Sequence, residues 1–285
     1  MNKTLKKNSK KKKSAKKTKT KKAAQKKKAR KTKKIIHKAK TKTKTSRKPR
    51  KKIAITPKVK KAFNTIADDW NKKRKTPSSP TQIFFNYLNK FYKENLYGLK
   101  ILDAGCGNGR NMWYLLKKAR NVCVWGMDTS PKMLLNAQKN LIKNNAGQCA
   151  YLKKASITNM PLLSNSFNAV FCLAVLHHLQ TKQDRIKAFL EINRVLHAPG
   201  IAFIAVWNKK PPKLKKHKGK DALVQWKTSN GKKAERFYHF FTENELTTLA
   251  KKTGFKKIEV FHEKNGKKTS KKNAANICMV LLKTR

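Results

Sequence analysis

Acidic residues are scarce in this sequence: 285 residues include 13 Asp and Glu against 73 Lys and Arg, for a formal net charge of +60. The first 52 residues hold 25 Lys and 3 Arg and no acidic residue. A charge of this size and sign indicates a polyanionic partner, with nucleic acid the first candidate. The alternative is a lysine-biased proteome in which protein surfaces are basic without a specific role.

Apolar residues are scarce in the same N-terminal segment, which consists mainly of Lys, Thr, Ala and Ser. Such a segment buries too little apolar surface to offset the entropy lost on folding. We therefore expect a disordered tail over residues 1–52 and one folded domain over residues 53–285. No run of about 18 apolar residues is present to span a membrane, so we expect no membrane partner. Binding of the tail to anionic lipid stays open, although no amphipathic apolar face accompanies its charge.

Cysteine spacing excludes two further classes. The five cysteines are scattered, odd in number and never spaced as CxxC. We therefore expect neither a disulfide framework nor a structural zinc site, and no other metal-ligand spacing occurs. This usage indicates a reducing, intracellular compartment and a cytoplasmic location, with nuclear import through the basic tail left open. The cysteines are Cys106, Cys123, Cys149, Cys172 and Cys278.

Short apolar runs alternate with amphipathic segments between residues 99 and 208. The alternation predicts βαβ units and a mostly parallel sheet covered by helices on both faces. Residues 255–263 and 273–284 resemble two strands joined by a tight turn, which predicts a C-terminal antiparallel hairpin. Residues 209–235 are rich in Lys, contain a double proline and are expected to form a basic inserted loop.

Helix boundaries are marked by capping residues. Helical periodicity covers residues 58–70 and 81–96. Ser130 precedes a proline at a first helical position, and Thr242 begins a capping box. Gly254 stands where the following helix is expected to end.

The stretch ILDAGCGNGR (residues 101–110) carries the first chemical signal: an apolar run that ends in Asp103, followed by three alternating glycines. The dinucleotide fingerprint G-x-G-x-x-G would need a glycine where Arg110 stands. The Asp103 carboxylate would repel a pyrophosphate and attract an ammonium group. S-adenosylmethionine has an ammonium, a sulfonium and no phosphate, so the pattern favours this methyl donor over a dinucleotide.

A second acid, Asp128, follows the next apolar run, 25 residues after Asp103. Ligands of open α/β sheets bind at the carboxyl ends of the strands, where an acid accepts both ribose hydroxyls of an adenosine. An ordinary helix-capping role before SPKML is the alternative for Asp128.

These motifs together, with ASITNMPLLSNSFNAVFCLAVLHHL, resemble class I S-adenosylmethionine-dependent methyltransferases over residues 97–208. The resemblance implies an α/β, Rossmann-like sandwich with a mostly parallel seven-stranded sheet. The family often has an Asp where Ser156 stands, so adenine recognition is expected to rely on backbone groups near Ser156 and Ile157. The residues implied to bind the cofactor are Asp103, Gly105, Cys106, Gly107, Asn108, Gly109, Asp128, Thr129, Ser156, Ile157 and Leu173.

A narrower resemblance comes from FCLAVLHHLQTKQDRIKAFLEINRVLHAPGIAFIAVW, RFYHFFTENEL (residues 236–246) and NICMVLLK. These segments are similar to the tRNA wobble-uridine carboxymethyl methyltransferases, which esterify 5-carboxymethyluridine at anticodon position 34. The resemblance implies a substrate-binding role for Arg74, although Ser78 replaces a Trp of the family pattern. Trp207, at the end of the predicted fifth strand, is placed to flank a substrate base. It also implies a small zinc-binding activator protein that docks on the sheet edge near CAYLKKA. The implied catalytic residues are Arg236, His239, His177 and Tyr238.

This chemistry fits the residue types. A carboxylate is already ionised at neutral pH, so the transfer needs positioning rather than a general base. Arg, His and Tyr are suitable donors to hold the anion. Each candidate also has a structural alternative: His177 and His178 as a capping pair, Arg236 and His239 as anchors of their loop, and Tyr238 and Trp207 as core aromatics.

The tail is expected to add affinity for tRNA phosphates while the folded domain selects the uridine of the anticodon loop. A nuclear-localisation signal and a ribosome-binding tail stay open as alternatives. Two other functions also stay open. One is a methyltransferase for a small molecule, which RFYHFF and the basic charge disfavour. The other is a catalytically silent nucleic-acid-binding protein, which failure to bind S-adenosylmethionine would support.

Overall fold

The computed structural model describes residues 56–119, 121–208 and 219–285. The predicted disordered tail, residues 1–52, lies outside the described residues, and so does the first part of the predicted inserted loop. The helices are α1 (Thr56–Lys73), α2 (Ser79–Phe91), α3 (Arg110–Lys118), α4 (Pro131–Lys143), α5 (Lys182–Val195) and α6 (Glu243–Lys252), with a 3₁₀ turn at Leu176–His178. The strands are β1 (Lys100–Ala104), β2 (Cys123–Asp128), β3 (Ala150–Lys154), β4 (Phe167–Leu173), β5 (Leu196–Trp207), β6 (Asp221–Lys227), β7 (Lys233–His239), β8 (Lys256–Lys264), β9 (Lys267–Lys268) and β10 (Asn276–Lys283).

The main sheet has the order β3-β2-β1-β4-β5-β10-β8-β9. The five strands β1 to β5 are parallel to one another. Strand β10 is antiparallel to both β5 and β8. Since β9 has only two residues, the sheet consists of seven longer strands and this short edge piece. The predicted α/β sandwich with a C-terminal antiparallel hairpin is confirmed, with β10 inserted between β5 and β8.

Strand β4 shows how the sheet separates two apolar layers. Val170 and Cys172 point to a cluster that includes α5 and α6, whereas Ala169 and Phe171 point to a cluster that includes α2 and α3. Successive side chains of a strand lie on opposite faces, so a strand that is apolar at every position is buried on both. This layering leaves the carboxyl ends of β1, β2 and β4 free to build a site.

The prediction of a loop over residues 209–235 is wrong for the part that the structure describes, from residue 219 onward. Strands β6 and β7 form a separate antiparallel hairpin, with Val224 opposite Arg236. The burial of β6 alternates strictly between exposed and half-buried positions, because Ala222, Val224 and Trp226 face the protein while the residues between them face water. The surrounding lysines conceal this strand pattern in the sequence.

A third apolar cluster joins α1 to the hairpin. Ile66 and Ala67 of α1 lie with Met133 of α4 and Ala234 of β7. Trp226 packs against the same cluster. This packing holds α1 beside the carboxyl ends of the parallel strands.

The N-cap predictions for Ser130 and Thr242 are confirmed, whereas the Glu245 side chain of the predicted capping box pairs with His239 and Lys220 instead. Ser130 Oγ accepts a hydrogen bond from the backbone of Met133 at 3.2 Å, and Thr242 Oγ1 accepts one from Glu245 at 3.2 Å. Gly254 follows α6 with a φ of +81°, the left-handed conformation that suits glycine. Helix α2 ends at Phe91, earlier than the predicted boundary at residue 96. Lys93 and Glu94, which follow it, have positive φ angles and begin the turn toward β1.

The cysteine prediction requires a correction. Cys123 and Cys149 form a disulfide with their Cα atoms 4.7 Å apart. Strands β2 and β3 pair from Val124 and Ala150 onward, which brings the two preceding cysteines together. The sequence separation of 26 residues hides this adjacency. None of the helices in the described ranges is long and apolar enough to cross a membrane.

Candidate active site

A cavity of about 270 Å³ lies at the carboxyl ends of β1, β2 and β4. Its walls come from α1, the loop after β1, the ends of β2 and β4, the 3₁₀ turn, and the ends of β5 and β7. The predicted residues that line it are Gly105, Cys106, Gly107, Asn108, Asp128, Thr129, Ser156, Ile157, Leu173, His177, Trp207 and Tyr238.

The glycine loop has a backbone that other residues would disturb. Gly105 has a φ of +97°, and a Cβ atom there would lie 2.2 Å from Val175 Cγ2. Gly107 has a φ of +55° with open space around its Cα, and its N–H donates to Asp128 Oδ2 at 3.1 Å. The loop therefore needs glycine for its turn and for close approach of a ligand to its backbone.

Asp103 is completely buried, and neither of its carboxylate oxygens has a hydrogen-bond donor among the described residues. Burial, and then the charge of Asp128, raise the pKa of Asp103 well above its usual range. A buried carboxylate without a donor is costly unless a cation pairs with it. The ammonium group of S-adenosylmethionine fits this requirement.

Arg110 lines the cavity at the start of α3, and its guanidinium donates to the backbone of Thr76 at 3.0 Å. Burial, and then the charge of Arg74, lower the pKa of Arg110 to about 10, so it stays cationic at neutral pH. Arg110 is suited to the carboxylate of the methionine moiety. From the sequence this position was recognised only as a missing glycine of the dinucleotide pattern, although its place directly after the glycine loop was the available signal.

Asp128 has the geometry expected of a ribose acceptor. Its Oδ1 accepts from the backbone of Ser130 at 2.8 Å and its Oδ2 accepts from Gly107, so each oxygen keeps a further lone pair. Ser156 Oγ bonds to Thr158 Oγ1 at 2.8 Å. Recognition of adenine by backbone groups near Ser156 and Ile157 stays a prediction.

An aromatic surface forms the other side of the cavity. The ring of Tyr238 stacks on Trp207 with centroids 4.4 Å apart and on His177 with centroids 4.8 Å apart. Burial, and then the charge of His178, lower the pKa of His177 well below its usual value. His177 is therefore neutral at pH 7 and contributes stacking surface and a single N–H rather than a positive charge.

Arg236 stands behind this surface rather than on the cavity wall. It is 3% exposed, and its Nη1 donates to the Tyr238 hydroxyl at 2.7 Å. Its guanidinium lies between the rings of Trp226 at 4.9 Å and Tyr238 at 5.2 Å. Within the described part of the chain no carboxylate pairs with it, and its Nε has no acceptor. Burial lowers the pKa of Arg236 without neutralising it.

Besides Arg236, four predicted residues are not among those that line the cavity: Asp103, Gly109, His239 and Arg74. His239 Nδ1 is 2.6 Å from Asp221 Oδ1, and its Nε2 is 2.8 Å from Glu245 Oε1. It links the hairpin to α6 and so is a positioning residue. Arg74 is exposed, and its guanidinium lies 5.5 Å from the ring of Trp70. Its charge acts on the cavity residues Arg110 and Tyr238.

Phe63 and Trp70 line the cavity from α1 and were missed by the sequence analysis. They are seven residues apart, which places them on the same helix face, and this spacing was the signal that could have found them. Trp226 of β6 was missed as well. It packs against Trp70 with centroids 5.3 Å apart and ring planes tilted by 41°, and it donates from Nε1 to Asp69 at 2.7 Å.

Comparison with known proteins gives consistent results. A family model described as "Methyltransferase domain" matches residues 102–204. A methyltransferase of Encephalitozoon cuniculi is 31% identical over 180 residues, which cover 61% of this chain and 76% of that protein. The tRNA (carboxymethyluridine(34)-5-O)-methyltransferase alkbh8 of Xenopus tropicalis is 31% identical over 173 residues, but the match covers only 24% of its length.

Among solved structures, a chain of the complex between the Haloferax volcanii Trm112 methyltransferase activator and a methyltransferase superposes with a TM-score of 0.55. It is 14% identical, and the superposition covers 78% of this chain and 98% of that one. At this identity the likeness supports the fold alone.

Proposed function

Because the chain belongs to the class I S-adenosylmethionine-dependent methyltransferases, we propose that it methylates tRNA at the wobble uridine. The acceptor in this proposal is the carboxylate of 5-carboxymethyluridine, and the product is its methyl ester. The name of the frog relative supports the substrate class. One observation within this chain carries the proposal: the buried Arg236–Tyr238 pair has no carboxylate partner among the described residues.

The Arg236–Tyr238 pair is suited to an anionic acceptor. A buried guanidinium without a carboxylate favours an anion bound nearby. Arg236 does not line the cavity, so its charge would act on that anion through Tyr238, which does. Since Arg236 donates to the tyrosine oxygen, the hydroxyl proton of Tyr238 is available to donate to a substrate oxygen. Burial raises the pKa of Tyr238 to about 12, so that proton stays in place at neutral pH.

When bound, S-adenosylmethionine supplies an electrophilic methyl group carried by a sulfonium. Asp103 would hold its ammonium group, Arg110 its carboxylate and Asp128 its ribose hydroxyls. The acceptor carboxylate is already ionised, so the chain supplies no general base. Tyr238 donates one hydrogen bond and leaves the second carboxylate oxygen as the nucleophile. Its ring, with Trp207 and His177, offers a stacking surface for a base from a single-stranded loop.

A partner subunit is also part of the proposal. Strand β3 is the last strand on its side of the sheet, and Tyr151 on it is 48% exposed. Leu135 and Ile142 of the adjacent α4 are 51% and 66% exposed. An unpaired strand edge beside exposed apolar side chains is typical of a protein interface. An activator subunit that adds to this edge would cover both, and the Haloferax complex shows that a protein of this fold has an activator.

Mass spectrometry of nucleosides from bulk tRNA, with and without the gene, tests the acceptor. Loss of the gene is expected to remove methoxycarbonylmethyluridine and to accumulate carboxymethyluridine or its amide. Restoring the gene with Asp103→Asn, which removes the partner of the cofactor ammonium, is expected to fail. Unchanged wobble nucleosides in the deletion strain would overturn the acceptor assignment while leaving the methyltransferase family intact.

A further inference from the structure

A second depression lies on the face of α1 that points away from the cofactor cavity. Its volume is about 600 Å³, and it is bounded by α1, the first turn of α4 and the turn at residues 228–232 between β6 and β7. We name it the lysine groove after its exposed basic residues, which are Lys60, Lys61, Lys72, Lys132 and Lys232.

The charge of the groove is strongly positive. Its acidic residues are Asp68 and Asp69, and Asp69 already accepts from Lys73 at 2.9 Å, from Trp226 at 2.7 Å and from the backbone of Ser229 at 3.0 Å. Among the described residues none of the five groove lysines forms an ion pair. The five lysines outnumber the two carboxylates and repel one another in the folded protein, so the arrangement favours an anionic ligand.

The rest of the lining is polar rather than aromatic. Asn64 and Thr65 of α1 and Ser229 and Asn230 of the hairpin turn present amides and hydroxyls. Phosphate oxygens and ribose hydroxyls bond to groups of this kind, whereas base recognition requires stacking rings or specific edges. The groove is therefore suited to a sugar-phosphate backbone and to no particular base.

The position of the groove connects it to the candidate active site. Lys60 lines both the groove and the cofactor cavity. Strand β7 leads from the groove turn to Tyr238 over six residues, roughly 20 Å at about 3.3 Å per residue. In the sequence, the 28 basic residues of the tail directly precede α1. We propose that the lysine groove binds the backbone of single-stranded RNA beside the nucleotide that reaches Tyr238, an inference that rests on the proposed function.

Salt-dependent RNA binding by the full chain tests this proposal. The test variant carries Lys61→Gln, Lys72→Gln, Lys132→Gln and Lys232→Gln, and Lys60 is retained because it lines the cofactor cavity. The control variant makes the same charge change at exposed lysines elsewhere: Lys118, Lys251, Lys252 and Lys264. The probe is a labelled anticodon stem-loop RNA, and calorimetry of S-adenosylmethionine binding reports whether each variant keeps its site.

Each phosphate contact to a single strand contributes about 0.7 to the slope of log K against log salt. Loss of four contacts is expected to reduce the magnitude of that slope by about 3, against a change below about 1 for the control variant. Equal slopes for the two variants would overturn the proposal. So would a loss of binding to phosphatidylserine vesicles with RNA binding unchanged, because the groove would then serve a membrane.

The outcome is separable from that of the proposed function, because RNA binding is measured without methyl transfer. A reduced slope with unaltered wobble nucleosides in the deletion strain would support the groove and overturn the acceptor assignment. An unchanged slope with loss of the methyl ester in that strain would overturn the groove alone.

Discussion

At the scale of the residue, the candidate site is marked by buried charges that the protein itself leaves unpaired. Asp103 and Arg236 have opposite charges, and each lacks an ionic partner in the described ranges. Asp103 could be predicted because its signal is local: a carboxylate at a strand end beside alternating glycines. The role of His239 could not, because its two acidic partners are 18 and 6 residues away and come together only through the hairpin and α6.

Cofactor binding is expected to depend on pH through Asp103. Since burial raises its pKa, the carboxyl group is protonated in acid and must release a proton to pair with the cofactor ammonium. Affinity should therefore rise with pH until the raised pKa is passed, by up to about tenfold per pH unit. Calorimetry over a pH series, in buffers of different ionisation enthalpy, measures both the affinity and the released proton.

Asp103→Asn keeps the side-chain shape and removes the titrating group. It should weaken S-adenosylmethionine binding roughly ten- to a hundredfold, the magnitude of a charged hydrogen bond, and abolish the proton release. An unchanged pH dependence in this variant would show that another group is responsible.

At the scale of the element, the β6–β7 hairpin carries the residues that distinguish this chain from a general methyl-donor fold. The parallel strands and their helices were predictable because their apolar periodicity is strong. The hairpin could not be predicted, because its two strands come from segments of different composition. It pairs Asp221 with His239 and Trp226 with Ala234. Its partners on α1 and α6 follow from tertiary packing, for which the sequence has no local signal.

The contact between His239 of the hairpin and Glu245 of α6 is expected to make the stability of the fold depend on pH in acid. Burial opposes ionisation of Glu245, but the hydrogen bond from His239 and the charges of His239 and Lys220 outweigh it and lower the pKa to about 2. The folded-state pKa lies below the ordinary value of 4.5, so Glu245 stabilises the fold above that pH. This contribution is lost as the pH falls from about 4.5 through about 2.

Glu245→Gln should therefore be less stable than the wild type at pH 6 and equally stable near pH 2. Urea unfolding followed by circular dichroism at several pH values measures the difference. Glu235→Gln, at an exposed position on β7, is the matched control and should show no such trend. A difference that stays constant across this range would contradict the assignment.

At the scale of the whole molecule, the described surface carries the lysine groove and, at β3, an apolar edge formed by Tyr151, Leu135 and Ile142. The composition gave the net charge directly, and this charge was sufficient to predict a polyanionic partner such as RNA. The Cys123–Cys149 disulfide and the distribution of lysines between groove and periphery could not be predicted, because both depend on which strands and helices become neighbours. The segment CAYLKKA was identified from the sequence as a docking segment. Its position at the edge of the sheet became known only from the order of the strands.

The apolar edge makes a prediction about assembly. Alone, the purified chain is expected to aggregate or to turn over slowly, and co-expression with the proposed activator subunit should correct both. Ile142→Glu with Tyr151→Glu should abolish co-purification of the activator and improve solubility of the free chain. Leu223→Glu, at a position of similar exposure on β6, should change neither. Full activity and a monodisperse wild-type chain without any partner would contradict the assembly.

The most direct measurement of the central claim is transfer of a labelled methyl group from S-adenosylmethionine to tRNA that carries 5-carboxymethyluridine at position 34. We expect label on this tRNA, release of the label as methanol in mild alkali as a carboxyl ester requires, and no label on tRNA with an unmodified uridine. Arg236→Leu should lower the rate by roughly a hundredfold while cofactor affinity stays within about twofold, because the buried guanidinium supports the acceptor and not the donor. Alkali-stable label, equal labelling of unmodified tRNA, or full activity of the Arg236 variant would contradict the proposed esterification of 5-carboxymethyluridine.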